Sequence, residues 1–255
     1  MATTRERKPL NFVAAEPSSI DDLADRVLSV SNLGVEAAVE KSQYDDTDEN
    51  ENGASREHAD PVEKFFDLVI DELAALRTRA EVEAIHRAAD LIIECESRGG
   101  RVHVTGIGKS EHIARYVASL FSSTGTPAYF LHATECIHGS AGQVCANDVI
   151  VAISNSGATP ELLSAVETLS EFGIRIIAIS GNPESKLALM ADVVLDAGVD
   201  NEGGELNLVP RASILAKIYL LCSLSVALEA RKGLTREQYA RWHPGGALGR
   251  LARGE

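Results

Sequence analysis

Two short polar turns, each placed after an apolar run, carry the residue types that bind a phosphate group. The first is TGIGKS at residues 105–110, and the second is SNSGATPE at residues 154–161. Each lies between a stretch typical of a strand and a stretch typical of a helix. Such a turn presents backbone N–H groups and hydroxyls to one point, with the positive end of the helix dipole behind them. The pattern predicts a phosphate cradle that is formed twice.

The candidate phosphate-binding residues share a hydroxyl or amide side chain within these turns: Ser110, Ser154, Asn155, Ser156 and Thr159. Lys109 adds a positive charge beside the first turn. The P-loop spacing GxxxxGK[ST] is not met because His103 stands at its first glycine position, and the dinucleotide motif GxGxxG is not met because Glu111 stands at its last. The turns therefore favour a single phosphate or a sugar phosphate over a nucleotide.

The elements that would position these turns alternate between strands and helices. Apolar runs predict strands at 102–105, 128–131, 149–153, 174–180 and 193–195. Helical spacing predicts helices over 111–122, 160–172, 185–191 and 213–232, after two earlier ones near 65–76 and 82–93. This alternation predicts an α/β fold, a three-layer αβα sandwich with a mostly parallel central sheet. The two turns would then meet in a crevice at the carboxyl ends of neighbouring strands.

Composition limits the classes of function. The 255-residue chain carries a net charge of −14, which argues against an extended nucleic-acid interface. The four cysteines form no CxxC pair, so neither structural zinc nor a disulfide framework is expected. We find no secretory signal and no apolar run near the roughly 18–20 residues that span a bilayer. A cytoplasmic protein without membrane partners is expected.

The first 60 residues differ from the rest of the chain. They hold 14 acidic and 6 basic side chains, so a charge of −8 lies in less than a quarter of the sequence. Residues 44–60 are acidic and poor in apolar side chains, which is typical of a disordered linker. We therefore expect residues 1–60 to be an extension, in which 19–30 has the spacing of a short amphipathic helix, and 61–255 to be one folded domain.

Five segments resemble the sugar isomerase (SIS) domain and occur in the same order. They are GIGKS, STGTPAYFLHATECIHG, AISNSGATPE, NEGGELNLVP and HPGGALGR, between residues 106 and 250. HPGGALGR and the SNSG turn are the most specific of them. More narrowly, the chain is similar to the arabinose-5-phosphate isomerases, which interconvert D-ribulose 5-phosphate and D-arabinose 5-phosphate. The resemblance implies the short form of that family, without the paired CBS modules of its longer members.

This resemblance implies an active site, position by position. Four residues match the family's phosphate cradle: Ser110, Ser154, Ser156 and Thr159. Four more match its polar active-site set: Lys109, Glu161, Glu202 and His243. His138 matches a family histidine that can bind a divalent metal such as zinc. No organic cofactor is required by the implied reaction, because the sugar undergoes no net redox change.

The roles implied for the polar set follow from the chemistry of an aldose–ketose isomerase. A proton moves between C2 and C1 through a cis-enediol, which needs a base, an acid and a cation near the enediolate oxygen. Glu161 and His243 would serve as base and acid in either order, and Lys109 would stabilise the oxyanion. Glu202 would be a second acid/base group or assist ring opening. Without the family, Glu161 would be interpreted as a surface residue that complements the helix dipole.

Departures from the family pattern leave the substrate open. They are Ser140, Ala158, Gly203-Gly204-Glu205 and Arg211 to Leu215, where one hydroxyl is kept and a cation is gained. Because these changes affect the part of the family's site that recognises the sugar more than the part that binds the phosphate, an isomerase of another sugar phosphate is an alternative. A second alternative is a non-catalytic sugar-phosphate-binding regulatory protein.

The resemblance also implies a homo-oligomer, a dimer or tetramer with active sites between subunits. One apolar stripe of the long predicted helix could serve such packing or belong to the core: Ile214, Ile218, Leu221, Leu224 and Leu228.

Overall fold

The computed structural model describes residues 60–255, so the expectations for residues 1–59 lie outside the described part of the chain. The helices are α1 (Pro61–Arg79), α2 (Val82–Ser97), α3 (Lys109–Ser123), α4 (Ala133–Cys136), α5 (Pro160–Glu171), α6 (Lys186–Leu189), α7 (Ala212–Lys232), α8 (Arg236–Trp242) and α9 (Ala247–Arg253). The strands are β1 (Val102–Gly106), β2 (Ala128–Phe130), β3 (Val149–Ser154), β4 (Arg175–Ser180) and β5 (Val193–Asp196). A short 3₁₀ helix spans Ser140–Gln143.

The five strands form one parallel sheet in the order β2-β1-β3-β4-β5. Every residue of β1 and β3 is buried, as the continuous apolar runs of their sequence indicate for strands covered on both faces. From β1 the chain crosses to β2 on one side, and it then returns to β3 on the other side of β1, from which β4 and β5 follow outward. The direction in which strands are added therefore reverses between β1 and β3. In sheets of this kind, ligands bind at the carboxyl ends of the strands at that reversal.

Helices cover both faces of the sheet, and two apolar cores result. Val149, Val151 and Ile153 of β3 point into a core shared with α1, α2, α3 and α7. Ile150 and Ala152 point to the opposite face, into a core with α4, α5 and α6. The alternation follows from the two-residue period of side chains along a strand. The predicted three-layer αβα sandwich with a parallel sheet is therefore confirmed.

Helix α7 spans 21 residues and is long and apolar enough, by length and composition, to cross a membrane. The expectation that the chain holds no such stretch is therefore wrong. However, 56% of the helix's apolar window is buried inside the domain. Within the predicted stripe, Leu221, Leu224 and Leu228 lie in the core, and Ile214 and Ile218 pack against it.

Two short helices near the end of the described chain, α8 and α9, were not anticipated from the sequence. Thr235 begins α8 with a capping box, in which its hydroxyl accepts from the N–H of Gln238 and the Gln238 side chain accepts from the N–H of Thr235. At the end of α8, the Trp242 ring packs against Gly125, where any β-carbon would collide with it. This contact holds α8 against the turn that follows α3.

A buried polar contact lies at the amino ends of the central strands β1 and β3. Asp148, 2% exposed, lies just before β3 and accepts hydrogen bonds from the N–H groups of Arg101 and Cys145 at 2.8 and 2.7 Å. Its second oxygen also lies 3.0 Å from Nε2 of His103, inside β1. The carboxylate therefore joins the beginnings of two central strands.

Candidate active site

A cavity of about 300 Å³ opens at the carboxyl ends of β1 and β3. These two strands pair in register, with Gly106 beside Ile153, so the turns that follow them face each other. The cavity is lined by Ile107, Lys109, Ser110, Ile153, Ser154, Asn155, Ser156, Thr159, Pro210, Ser213, Ile214 and Lys217. All five predicted phosphate-binding residues and Lys109 are among them. The structure thus brings both predicted cradles to one cavity.

The first turn depends on two glycines. A β-carbon on Gly106 would lie 2.9 Å from backbone and side-chain carbons of Ser110, so only glycine lets α3 begin this close to β1. Gly108 has φ +62°, a conformation that side chains disfavour, and it precedes the first residue of α3. No side chain among residues 60–255 caps this helix end. Lys109 and Ser110 therefore stand beside free N–H donors at the positive end of α3.

The second turn is held by its own hydroxyls. The Ser154 hydroxyl accepts from the N–H of Gly157 at 3.1 Å and lies 3.2 Å from the hydroxyl of Thr159. The Ser156 hydroxyl accepts from the N–H of Ala158 at 3.2 Å. Pro160 then begins α5, whose first N–H groups have no side-chain cap within the described chain. Two uncapped helix ends therefore face one cavity, which is an arrangement suited to an anion.

Of the four residues predicted to handle protons, only Lys109 lines the cavity within residues 60–255. Glu161 is exposed in the first turn of α5. His243 directly follows α8. Its ring stacks on Tyr239 at 4.0 Å between centroids, and its Nδ1 lies 2.9 Å from the Tyr239 carbonyl. The single chain therefore does not bring Glu161 and His243 into the cavity.

Glu202 lies beside the cavity and caps α7. Its carboxylate accepts from the N–H groups of Arg211 at 2.7 Å and Ser213 at 3.0 Å. Burial raises the pKa of Glu202, but the donors of Ser213 and Arg211 and the charge of Lys217 outweigh it and hold the pKa below its usual range. The Ser213 hydroxyl lies near this carboxylate but forms no hydrogen bond within the described chain. Glu202 is therefore ionised at neutral pH.

His138 is exposed just after α4. Residues 60–255 contain no group of three or more His, Cys, Asp or Glu side chains that could hold a metal ion. The side chains around His138 among residues 60–255 therefore do not fit a metal site.

Two polar residues of α7 lie in the cavity wall, Ser213 and Lys217. Ser213 is the hydroxyl that the sequence keeps within residues 211–215, whereas Lys217 was not identified from the sequence. A signal was available, because Lys217 falls between Ile214 and Leu221 on the apolar face of the predicted helix. The cation noted from the sequence, Arg211, lies elsewhere: its guanidinium donates to the carbonyl of Gly203 at 2.8 Å, and it does not line the cavity.

Comparisons with known proteins agree with this architecture. The SIS domain family profile matches residues 97–227. The arabinose 5-phosphate isomerase KdsD of Pseudomonas aeruginosa is 43% identical over 164 residues, which cover 63% of this chain and 50% of that protein. The enzyme of the same name from Francisella tularensis is 40% identical over 193 residues, 76% of this chain and 59% of that protein. This chain thus spans only about half the length of the curated relatives it matches.

One solved structure is similar to this chain over nearly all of the solved protein's length. It is a protein of Escherichia coli CFT073 in complex with arabinose 5-phosphate, with a TM-score of 0.67 and 31% identity, covering 72% of this chain and 95% of that one. The family profile alone covers more than half of the sequence, from the end of α2 into α7. Fold, cavity and sequence motifs agree, and the chain belongs to the SIS domain family.

Proposed function

We propose that this protein is a phosphosugar aldose–ketose isomerase that interconverts D-ribulose 5-phosphate and D-arabinose 5-phosphate. The observation that carries the proposal is the cavity at the strand reversal, with hydroxyl donors, two lysines and two helix ends that have no side-chain cap within residues 60–255. The choice of substrate is supported by relatives at 40–43% identity that are named arabinose 5-phosphate isomerases, and by a similar structure in complex with arabinose 5-phosphate.

The proposed reaction proceeds through a cis-enediol. A base removes a proton from C2 of the open-chain aldose or C1 of the ketose, and the proton returns to the other carbon while a second proton moves between O1 and O2. In this proposal Glu161 and His243 are base and acid, in either order. The Lys109 ammonium stabilises the oxyanion, and the turns hold the phosphate so that the reacting carbons stay in place.

The surroundings of Glu202 narrow its proposed role. A carboxylate that accepts two backbone N–H groups and has a lowered pKa is a poor proton donor near neutral pH. The lowered pKa also makes Glu202 a weaker base, so we favour it as the group that positions the beginning of α7 rather than as an acid.

A homo-oligomer would complete the proposed site. Glu161 and His243 lie outside the cavity of a single chain, so a second copy could supply proton-transfer groups to it. The outward faces of α3 and α7 expose large apolar side chains that are suited to such packing: Tyr116, Leu215, Tyr219 and Val226. Dimers or tetramers formed through this surface are part of the proposal.

The proposed chemistry uses proton transfer between side chains and needs no organic cofactor. A divalent metal at His138 would require ligands beyond those that the described part of the chain offers. We also propose a cytoplasmic location, which is supported by four cysteines that form no disulfide in residues 60–255.

One observation favours the alternative of a non-catalytic sugar-phosphate-binding regulator. Within residues 60–255, three of the four proton-handling candidates lie outside the cavity, which leaves a single chain able to bind a phosphosugar without converting it. A sugar-phosphate-binding regulator needs only the cradle. An isomerase of another sugar phosphate, as the departures at 158, 203–205 and 211–215 suggest, is the remaining alternative.

Incubation of the purified protein with D-ribulose 5-phosphate in D₂O distinguishes these functions. We expect D-arabinose 5-phosphate to form with deuterium at C2, because the enediol is reprotonated by a group that exchanges with solvent. NMR follows both product and label. Binding of ribulose 5-phosphate without exchange would instead identify the regulator, and neither binding nor exchange would direct the search to other sugar phosphates.

The second turn should control affinity. We expect the double change Ser154→Ala and Ser156→Ala to weaken binding of D-arabinose 5-phosphate roughly 10- to 100-fold, since both phosphate donors and the hydrogen bonds that shape the turn are lost. Isothermal titration calorimetry measures the change, with Ser97→Ala, an exposed serine at the end of α2, as the control. Unchanged affinity would remove this turn from the binding site.

A further inference from the structure

A lysine is buried in the wall of the cavity. Lys217 of α7 is 1% exposed and lines the cavity with Ser213, which lies one helical turn earlier. Lysine is almost never fully buried unless its charge is paired, because removing an ammonium from water is costly. The position therefore requires a group that compensates the charge.

The described residues compensate it only in part. Nζ of Lys217 donates to Oδ1 of Asn155 at 2.7 Å and to the carbonyl of Ser213 at 2.9 Å, and both acceptors are neutral. An ammonium has three N–H donors, so one is left without an acceptor within residues 60–255. Glu202 attracts the charge, but its carboxylate is bound to backbone N–H groups and forms no salt bridge with Lys217 in the described chain.

A second donor in the same wall is also unused. Ser213 is fully buried, and its hydroxyl has no hydrogen-bond partner within residues 60–255. The opposite walls add Lys109 and the hydroxyls of the two turns. Among the described residues that line the cavity, two are lysines and none is acidic. Two positive charges with unused donors suit a dianion such as a phosphate monoester.

We propose that Lys217 is a phosphate-binding residue of this cavity. Its third N–H donates to a phosphate oxygen of the ligand, and its bond to Asn155 holds the second turn against α7. Ser213 adds its hydroxyl to the same phosphate. The identity of the ligand as a phosphosugar rests on the proposed function, whereas the assignment of Lys217 rests on the cavity itself.

The charged groups near Lys217 come from few elements. Glu202 faces it from the segment before α7, and Lys109 lines the same cavity from α3. On the side of α1, Glu72 is bound to backbone N–H groups of the segment after β5. On the side of α2, Asp90 pairs with the last turn of α7, far from the cavity. Titration of Lys217 is therefore governed by burial, Glu202 and any bound anion.

Anion binding should be coupled to protonation of this residue. Burial lowers the pKa of Lys217 to about 8, while the charge of Glu202 acts in the opposite direction. At pH 8.5 the free protein therefore holds Lys217 mostly as the neutral amine, and a bound dianion restores the ammonium. Binding at this pH should therefore be accompanied by proton uptake. At pH 8.5 the phosphate itself contributes little, because the second pKa of a phosphate monoester is about 6 and inorganic phosphate is also almost entirely dianionic at this pH.

Isothermal titration calorimetry at pH 7.0 and 8.5, in buffers of different ionisation enthalpy, tests the proposal. The probes are inorganic phosphate and D-arabinose 5-phosphate, and the proteins are wild type, Lys217→Met and Lys217→Gln. We expect both variants to bind both probes roughly 10- to 100-fold more weakly and to lose the proton uptake at pH 8.5. Lys64→Met, which removes an exposed charge on α1, should match wild type.

Each outcome bears on one proposal or the other. Variants with wild-type affinity, or a wild-type protein that binds at pH 8.5 without proton uptake, would overturn the role of Lys217. The second observation needs no variant, so the test stands even if both substitutions prevent folding. Binding with Lys217-dependent proton uptake but no isomerisation of ribulose 5-phosphate would support this inference and contradict the proposed function. A wild-type protein that binds neither probe would contradict both.

Discussion

Replacement of Glu161 by glutamine is expected to lower kcat for isomerisation of ribulose 5-phosphate by 100-fold or more. Glutamine keeps the size and hydrogen-bonding capacity of the side chain but cannot accept a proton, and general acid–base groups contribute about 10²- to 10⁴-fold to rates. Because Glu161 lies outside the cavity of its own chain, the Kd of D-arabinose 5-phosphate should stay within about threefold of wild type. A lower kcat with an unchanged Kd indicates an interaction that is made in the transition state and not in the bound ground state.

Glu167→Gln is the matched control for this change. Glu167 is exposed on the same helix, α5, and the substitution removes the same charge. Steady-state kinetics and calorimetry on both variants separate turnover from binding. A kcat close to wild type in Glu161→Gln would transfer the role of base to His243 or Glu202. A large loss of affinity would make Glu161 a binding residue instead.

Replacement of Asp148 by alanine is expected to cause a large loss of stability. The change leaves the N–H groups of Arg101 and Cys145 and the ring of His103 without their buried acceptor. A buried donor left without its acceptor costs about 1–3 kcal/mol, so the loss of these contacts together should cost roughly 3–5 kcal/mol. For a domain of this size we expect the melting temperature to fall by roughly 10 °C.

Asp192→Ala provides the comparison for this loss of stability. Asp192 also accepts a backbone hydrogen bond, from Ile176 at 2.8 Å, and pairs with Arg175, but it is exposed to solvent, where such contacts contribute little. Differential scanning calorimetry should show a much smaller decrease. Because Asp148 lies at the amino ends of the strands, affinity for phosphosugar in the folded protein should be kept. A decrease no larger than that of Asp192→Ala would contradict the structural role.

Local sequence signals were sufficient for the sheet and for both turns. The runs at β1 and β3 are too short and too rich in β-branched residues for buried helices, and glycine and serine end them abruptly. Strand–helix alternation then restricts the topology, because parallel strands require crossovers of one hand. The convergence of Ser110, Ser154 and Thr159 on one cavity follows from these local rules.

The short helices α8 and α9 were missed because their signals compete with turn signals. His243-Pro244-Gly245-Gly246 lies between them, and proline and glycine dominate a local interpretation. The position of α8 depends instead on a contact between Trp242 and Gly125, residues far apart in sequence. No local pattern contains that information.

The sequence by itself determined the fold class, the family and the turn residues that line the cavity, because these depend on short-range patterns and on motifs with fixed spacing. Only the tertiary structure determined the surroundings of the charged side chains. Burial of Lys217, capping of α7 by Glu202 and the turn of Arg211 toward Gly203 depend on segments brought together by folding. The free energy of a buried charged group depends on its exposure to solvent and on the polar groups around it, and both are defined only once the chain is folded.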